Sequence, residues 1–407
     1  MRGLAAYSGA SREHRLIGSI LAADWSLRAS RVWDSSLFTG INWDLIPALA
    51  AQLKVRPMLA VALREAGWPG VPASVRARVE AAEIQCTRKT LVLLSLLAAV
   101  TDRAQSRGIR VLALKGPALS RKLYDDPIIR ESFDLDILVH PNDVTAMAEV
   151  LAAEGILPDF EGPALSPLQT ARLRHYNKHD AFRDRVSGTV VECHYSLDHN
   201  PWRLHIGFDE LWNRHQTVAV AGQRIAIPGD SDLIQFLCAH AARHIWDRWK
   251  WLGDFAALCH LFSGKEMAEH REFACGLGNS LIFDASFLLT AAVTGIQLPN
   301  ELAQRVCENR AASAAAHRSL SLLLNGRGTN CAPSHAYLLR QIVERLRLKP
   351  SLRCVTFEAI VLAHRQEDWQ AYPLPDSMVW AHYPLRLLSL VARVLGRAGE
   401  PKTSGPG

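Results

Sequence analysis

Two aspartates inside a short apolar segment constrain this chain more than any other feature. Residues 134–139 read DLDILV, which predicts a β-strand, and strand alternation places Asp134 and Asp136 on one face, about 7 Å apart. Two carboxylates on one face of a buried strand repel each other unless a cation neutralises them. Mg²⁺ meets that need, since it takes oxygen ligands from one or two carboxylates and from substrate phosphates. The segment predicts a metal-binding strand, although the same pattern also occurs on solvated sheet faces without any role.

A third carboxylate, Glu192, lies in a second apolar segment, TVVECHYSL, at residues 189–197. If this strand lies beside the aspartate strand, three carboxylates converge, an arrangement used with two metal ions for in-line phosphoryl or nucleotidyl transfer. We therefore expect Asp134, Asp136 and Glu192 to bind two Mg²⁺ ions and to be the catalytic residues. The alternative for Glu192 is an ion pair with an arginine. His194 shares the face of Glu192 and could orient that carboxylate, contact a substrate or be a half-buried structural histidine.

A lysine and a glycine precede the aspartate strand, at the start of a helix. The run LALKGPALSRKLY, residues 112–124, predicts a buried strand that ends at Lys115 and Gly116 and leads directly into a helix. A helix N-terminus offers unpaired N–H groups, glycine permits close backbone approach, and lysine adds a positive charge. We therefore expect this loop to contact phosphate groups, with an ordinary strand–helix turn as the alternative.

Composition and charge exclude several classes of protein. The 407 residues suffice for two or three domains, and 49% apolar with 21% charged residues is typical of a folded chain. The net charge of +6 suits an anionic ligand such as a nucleotide but does not by itself indicate a nucleic-acid-binding protein. Eight cysteines form no C-x-x-C pair, and the N-terminal sequence lacks the apolar segment of a secretion signal. We expect reduced thiols, a cytoplasmic location and no membrane-spanning helix.

The predicted elements fall into three regions and a tail. We expect a helical N-terminal region at residues 1–107, an α/β core at 108–227, a helical C-terminal region at 228–397 and a disordered tail at 398–407. The core reads strand, helix, strand, helix, followed by an irregular stretch and a β-hairpin. The fold class predicted is therefore α+β, with a small mixed sheet flanked by N-terminal and C-terminal helices.

The core motif resembles that of a known family. The segment KGPALSRKLYDDPIIRESFDLDILV, residues 115–139, resembles the signature of the DNA polymerase β-like nucleotidyltransferase superfamily, and more closely the bacterial family often labelled "uncharacterised nucleotidyltransferase". The positions that match the family pattern are Lys115, Gly116, Leu123, Tyr124, Arg130, Asp134, Asp136, Glu192, His194, His240, His244, Arg248, Trp251, Leu252 and Asp254. The resemblance covers about residues 40–260.

The chain also departs from the superfamily pattern. The commoner Gly-Ser loop is replaced by KGP at residues 115–117, and the gap between this loop and the aspartates is longer. The nucleotidyltransferase toxins of abortive-infection systems share a Lys-Gly loop and an Arg-Ser-x-Asp-x-Asp style motif. Arg130, Ser132 and the two aspartates resemble that motif, with Glu131 inserted between the arginine and the serine.

The resemblance implies an Mg²⁺-dependent enzyme that moves an NMP group from an NTP such as ATP to an acceptor. A small molecule or peptide of a biosynthetic pathway is the acceptor we expect. The alternatives are a tRNA or other nucleic acid, as for a toxin-like enzyme, and a catalytically inactive nucleotide-binding scaffold. The oligomeric state stays open. The nucleotide-binding residues that the resemblance implies are Lys115, Gly116, Arg130, Ser132, His194, His240 and His244.

Three of these residues have structural alternatives. Arg130 could instead form a surface ion pair with Glu131 or Asp126. His240 and His244 lie one helical turn apart and could line the nucleotide cleft or simply pack against neighbouring tryptophans. A zinc pair is not expected, because the sequence lacks the glutamate of an H-E-x-x-H motif.

Overall fold

The computed structural model describes residues 10–159 and 165–325, together with scattered positions between 343 and 388. The predicted tail at 398–407 and most of the predicted helical C-terminal region beyond residue 325 lie outside the described residues. Within the described part, the chain forms helices on both sides of a five-stranded mixed sheet, so the predicted α+β class is confirmed. The predicted region boundaries remain predictions.

Four helices precede the sheet: α1 (Arg12–Ala22), α2 (Ile46–Leu53), α3 (Arg56–Glu65) and α4 (Ala73–Ser106). The break between α2 and α3 is the one that Pro57 predicts, since proline is tolerated in the first turn of a helix but not in its interior. Gly108 follows α4 with φ 71°, the left-handed conformation expected just beyond a helix end. Within the described residues, α4 is the one helix long and apolar enough to cross a membrane. Its side chains join two buried apolar clusters of the protein.

The sheet brings the two carboxylate-bearing strands together. Its strands are β1 (Val111–Ala113), β2 (Asp134–Val139), β3 (Ile156–Pro158), β4 (His179–Asp184) and β5 (Val190–His194), in the spatial order β1-β2-β5-β4-β3. Strands β2 and β5 are parallel, whereas the other neighbouring pairs are antiparallel. Helices α5 (Pro117–Tyr124) and α6 (Val144–Ala153) follow β1 and β2, so the predicted order of strand, helix, strand, helix and hairpin is confirmed.

The stretch expected to be irregular contains two further elements. Strand β3 extends the sheet edge, and α7 (Pro167–Tyr176) begins after Ser166. The Ser166 hydroxyl accepts from the Gln169 backbone N–H, and the Gln169 side chain accepts from the Ser166 N–H. This capping box satisfies backbone donors at the helix start. Its S-x-x-Q spacing predicts such a start from the sequence, and the sequence analysis did not use it.

Further helices of the described residues follow the sheet along the chain. They are α8 (Phe208–Asn213), α9 (Asp230–Arg243), α10 (Trp249–Leu261), α11 (Gly264–Gly276), α12 (Ser280–Thr294), α13 (Asn300–Glu308) and α14 (Arg310–Asn325). Among them, α9 and α10 line a cleft opposite the sheet. A small hairpin, β6 (Gln216–Val220) and β7 (Gln223–Ile227), separates α8 from α9. Short 3₁₀ helices lie at Trp25–Ser30, Ser35–Phe38, Pro141–Asp143 and Asp376–Ala381.

The two faces of β2 belong to different environments. Leu135, Ile137 and Val139 join one buried apolar cluster with residues of α4 and α6. Leu138, on the opposite face, joins a second cluster together with residues of α9 and α10. The face that carries the two aspartates is therefore directed toward the C-terminal helices α9 and α10. The carboxylates lie between this face of the sheet and those helices.

Candidate active site

The parallel pairing of β2 and β5 places the three acidic residues on one face of the sheet. Asp136 is the register partner of Glu192, and Leu138 is the partner of His194. Asp134 lies two residues before Asp136 and so shares its face. The neighbouring position of the two strands, on which the sequence interpretation depended, is confirmed.

Asp136 lies at the floor of this arrangement and is fully buried. Its Oδ1 lies 2.8 Å from the Nζ of Lys115 and 3.1 Å from the Nε2 of His194. Burial favours its neutral form, but Lys115 and His194 outweigh that effect and hold the pKa of Asp136 well below its usual value. Its Oδ2 is buried without a hydrogen-bond partner among the described residues. The carboxylate is thus ionised and retains one oxygen for a further ligand.

Glu192 and Asp136 are joined by the histidine of β5. His194 Nε2 lies 3.1 Å from Oε2 of Glu192 and equally close to Asp136, so this nitrogen carries the proton and donates to both carboxylates. The Nδ1 of His179 and the Nζ of Lys178 lie 3.5 and 3.9 Å from the same Glu192 oxygen. Burial raises the pKa of Glu192, but His194, His179 and Lys178 lower it, and the net result is a pKa of about 2.

Asp134 has the opposite electrostatic environment. The negative charge of Asp136 and burial raise its pKa, and Lys115 and Lys250 only partly offset them. A carboxyl group that is pushed toward protonation by a neighbouring carboxylate indicates a local excess of negative charge on this face. Binding of a cation would relieve that excess.

The donor atoms fit a divalent cation. Three carboxylates, one with an unpartnered buried oxygen, are the ligands that Mg²⁺ prefers. The ligand atoms of His179, Glu192 and His194 lie within 4.8 Å of one another, so two imidazole nitrogens are available beside the carboxylates. Imidazole suits transition metals better than Mg²⁺, so the donor set does not by itself fix the identity of the ion.

A cleft of about 250 Å³ opens in front of the carboxylates. Its lining residues are Lys115, Gly116, Arg130, Phe133, Asp134, Glu192, His240, Arg243, His244, Arg248, Lys250 and Trp251. Five of them are lysine or arginine against two acidic residues, so the cleft carries positive charge at its walls and carboxylates at its floor. That distribution suits an anionic ligand held beside a metal ion.

The lysine–glycine loop has the conformation that only glycine adopts readily. Gly116 is the N-cap of α5, with φ 71° and ψ −147°. A Cβ added there would meet only the Asp134 carbonyl oxygen, 3.7 Å away, so space is not the constraint. The constraint is torsional, since L-residues with a Cβ are strained in this region of φ/ψ.

We expect Gly116→Ala to lower the free energy of unfolding by about 1–3 kcal/mol through this backbone strain. Urea unfolding followed by circular dichroism measures the change. Gly276→Ala is the matched control, because Gly276 ends α11 with open space around its Cα, and alanine in a helix is expected to raise stability. Equal stability of the two variants would contradict the strain account.

Arg130 lines the cleft, but its guanidinium is bound by a carboxylate other than Asp134, Asp136 and Glu192. Arg130 is almost fully buried and forms a bidentate ion pair with Asp254 of α10. Its Nε and Nη2 donate to Oδ1 and Oδ2 of Asp254 at 2.8 and 2.9 Å. Neither Glu131 nor Asp126, the partners considered from sequence, is its ion-pair partner. The Ser132 hydroxyl donates to the Arg130 carbonyl oxygen at 3.3 Å, and Ser132 does not line the cleft. Contact of either residue with a nucleotide remains a prediction.

His240 lies on α9 and His244 is the C-cap residue of that helix, and contact of either histidine with a nucleotide remains a prediction. His240 and His244 line the cleft, and their rings also contact the ring of Trp251, each at a centroid distance of 5.4 Å. His194 differs, because it is fully buried between the carboxylates and does not line the cleft. From this position His194 can orient the carboxylates of Asp136 and Glu192.

The sequence analysis did not predict four residues of the site, which are Lys178, His179, Arg243 and Lys250. Burial and nearby positive charge lower the pKa of Lys178 and of Lys250 to about 7 each. Burial, with the neighbouring His194 and Lys178, lowers the pKa of His179 to about 3. A signal was present for Lys250, because a lysine between two tryptophans in a predicted core helix is unusual without a buried partner.

Comparison with known proteins identifies the family of the chain. A family model described as uncharacterised nucleotidyltransferase matches residues 39–272, more than half of the chain and the whole of the cleft. No curated protein matches the chain, and no solved structure does. The extent of the family match, over the segment that forms the carboxylate face and the basic cleft, means that the chain belongs to the uncharacterised nucleotidyltransferase family.

Proposed function

We propose that this protein is a divalent-metal-dependent enzyme that transfers an NMP group from an NTP to an acceptor and releases pyrophosphate. One observation carries the proposal: Asp136 and Glu192 are register partners on parallel strands with Asp134 on the same face, and Asp134 and Glu192 line a basic cleft. The family match supports nucleotidyl transfer in general. The metal, the donor and the acceptor are parts of the proposal.

In this proposal the three carboxylates hold the metal. Asp136 offers its unpartnered Oδ2, Asp134 lies at the cleft wall, and Glu192 completes the set. Mg²⁺ in such a site neutralises charge on the phosphates and stabilises the attacking and leaving oxygens of an in-line displacement. Glu192 lines the cleft and is the register partner of Asp136, so we assign it to metal binding.

The basic wall of the cleft would hold the triphosphate. Lys115 now compensates the charge of Asp136, and a cation bound at the carboxylates would release its ammonium group for a phosphate oxygen. Gly116 brings the N-terminus of α5 to the same place, where backbone N–H groups can donate to phosphate. Arg243 and Lys250 face them from α9 and α10 across the cleft.

The proposed transfer is a single displacement at the α-phosphorus. The oxygen of an acceptor hydroxyl forms a bond to the α-phosphorus while the bond from that phosphorus to the bridging oxygen breaks. Pyrophosphate leaves with the bonding electrons, and the hydroxyl proton passes to solvent. The role of the protein is to align donor and acceptor and to neutralise the charge of the leaving group.

NTP binding provides the first test. We expect an NTP with Mg²⁺ to raise the melting temperature, because a ligand at 100 times its dissociation constant adds about 2.7 kcal/mol to the stability of the folded state. Differential scanning fluorimetry with ATP, GTP, CTP and UTP, each with Mg²⁺ or with EDTA, measures the shift and the base preference. The absence of a shift with every NTP, for a normally folded protein, would contradict the proposal.

Transfer of label separates an enzyme from an inactive scaffold that merely binds nucleotide. Each NTP, labelled at the α-phosphate, is incubated with the protein and a cell extract as the source of acceptor. We expect label to appear on a fraction of the extract only when Mg²⁺ is present. Binding of NTP without any transfer would favour the scaffold.

A further inference from the structure

A partly exposed aromatic ring that lines the cleft is surrounded by cationic side chains. The Nζ atoms of Lys54 and Lys89 lie 4.5 and 5.1 Å from the ring centroid of Phe133, and the Cζ of Arg56 lies 5.7 Å from it. Cations within about 6 Å of an aromatic ring are attracted by its electron density. We call Lys54, Arg56, Lys89 and Phe133 the Phe133 cluster.

The Phe133 cluster is assembled from distant parts of the chain. Lys54 and Arg56 lie at the junction of α2 and α3, and Lys89 lies on α4. Lys54 has φ 63°, a left-handed conformation that ends α2 and is uncommon for a residue other than glycine. The N-terminal helices thus provide three positive charges around a ring that lines the cleft.

The positive charge of this cluster is only partly compensated. The guanidinium of Arg56 pairs with Glu131, whose side chain is fully buried, at 2.8 and 3.1 Å. Lys54 and Lys89 form no ion pair with any residue that the structure describes. Burial lowers the pKa of Lys54, and the charges of Arg56 and Arg248 lower it further against the opposing effect of Glu131. An anion placed here would relieve the repulsion between these cations.

The position of the cluster relative to the carboxylates suggests which anion that is. Phe133 is directly followed by Asp134, and both line the cleft together with Arg248. The proposed triphosphate site, by contrast, is formed by Lys115, Gly116 and the helices opposite them. Lys54, Arg56 and Lys89 do not line the cleft, so a group bound between them and Phe133 would lie beside Asp134 and extend beyond the lining residues.

We propose that the Phe133 cluster binds a phosphate and base of the acceptor, so that the acceptor is a nucleotide unit, either free or at the end of a single-stranded nucleic acid. This inference rests on the proposed function. Positive side chains around an aromatic ring are the combination that single-strand-binding proteins use, since cations hold the phosphate and the ring stacks with a base. A peptide without acidic side chains or a neutral small molecule would leave the charges of Lys54 and Lys89 unmatched.

Binding of a labelled oligonucleotide tests this inference. The probes are 5′-fluorescein-labelled 12-nucleotide RNA and DNA of mixed sequence, measured by anisotropy with Mg²⁺ and a non-hydrolysable NTP analogue present. The variant Lys54→Gln/Lys89→Gln removes two cations of the cluster, and Phe133→Leu removes the ring. The matched control Arg78→Gln/Arg88→Gln removes two charges from exposed positions on α4.

We expect the wild type to bind an oligonucleotide. The Lys54/Lys89 variant should bind it about tenfold more weakly, because it loses phosphate contacts, and the salt dependence of its binding should fall as well. The control should change affinity by less than twofold. Competition by an unlabelled nucleoside monophosphate, as strong as that by the unlabelled 12-mer, would identify a free nucleotide as the acceptor. Competition by the 12-mer alone would identify a nucleic-acid end, and both results support the inference.

The NTP-dependent shift of melting temperature is measured on every variant and keeps the two proposals separate. Failure of the wild type to bind either the oligonucleotide or the monophosphate, while NTP with Mg²⁺ still stabilises the protein, overturns the inference and leaves the proposed function standing. A loss of NTP stabilisation in the Lys54/Lys89 variant, with unchanged oligonucleotide binding, also overturns it, since the cluster would then belong to the donor. No NTP stabilisation of the wild type would contradict the proposed function itself.

Discussion

Asp136→Asn is expected to lower the rate of nucleotidyl transfer by about 10³-fold or more, since loss of a metal ligand removes several kcal/mol of charge stabilisation and each 1.36 kcal/mol is a factor of ten. The substitution keeps the size of the side chain but removes the negative charge that faces Lys115 and His194. The buried Oδ2, which has no protein partner among the described residues, would become part of a neutral amide. The α-labelled NTP assay with cell extract measures the effect.

The control for this variant is an aspartate far from the cleft. Asp209 on α8 is 65% exposed and pairs with Arg110, so Asp209→Asn makes the same chemical change without touching the carboxylate face. Circular dichroism and the melting temperature show whether each variant is folded. Equal labelling by wild type and Asp136→Asn, with both folded, would remove Asp136 from the mechanism. Loss of labelling in Asp209→Asn would show that the assay reports stability instead.

The carboxylate face could be predicted from sequence because its geometry is local. Alternation along one strand fixes the shared face of Asp134 and Asp136, and an acidic residue in a second apolar strand needs only that strand as a neighbour. The structure supplies the neighbour and the register that opposes Asp136 to Glu192. The lysine–glycine loop was predictable for the same reason, since strand, glycine and helix follow one another within a few residues.

The partners of the buried charges could not be predicted in this way. Arg130 pairs with Asp254, 124 residues later, and that contact exists only once α10 packs against the loop before β2. Lys178 looks like a surface residue by composition, yet the sheet buries it beside the carboxylates. The Phe133 cluster likewise combines residues from three separated segments. Long-range packing, rather than periodicity, determines which charges meet.

The Arg130–Asp254 pair links the two walls of the cleft. Arg130 lies in the loop that leads to β2, and Asp254 lies on α10, the helix that carries Lys250 and Trp251. The Tyr124 hydroxyl donates to the same carboxylate at 2.9 Å, so α5 joins the contact. All three side chains are buried. A change at this pair is therefore expected to act on the stability of the fold and on the distance between the cleft walls.

We expect Asp254→Ala to lower the free energy of unfolding by about 3–5 kcal/mol, because removing one partner of a buried pair leaves the other charge uncompensated. The double variant Arg130→Met/Asp254→Leu should lose clearly less, since no isolated charge remains and only the Tyr124 hydroxyl loses its acceptor. Urea unfolding of wild type, single and double variants measures both differences.

The exposed pair Lys265–Glu269 on α11 calibrates this expectation, as its side chains are 86% and 65% exposed. Glu269→Ala should change stability by less than about 1 kcal/mol, because solvent screens the charges of a surface pair. A loss in Asp254→Ala no larger than that in Glu269→Ala would mean that Arg130 reaches solvent when its partner is removed. In that case the pair would not hold α10 against the β2 loop, and the cleft walls would be joined by the apolar packing of α10 against its neighbours alone.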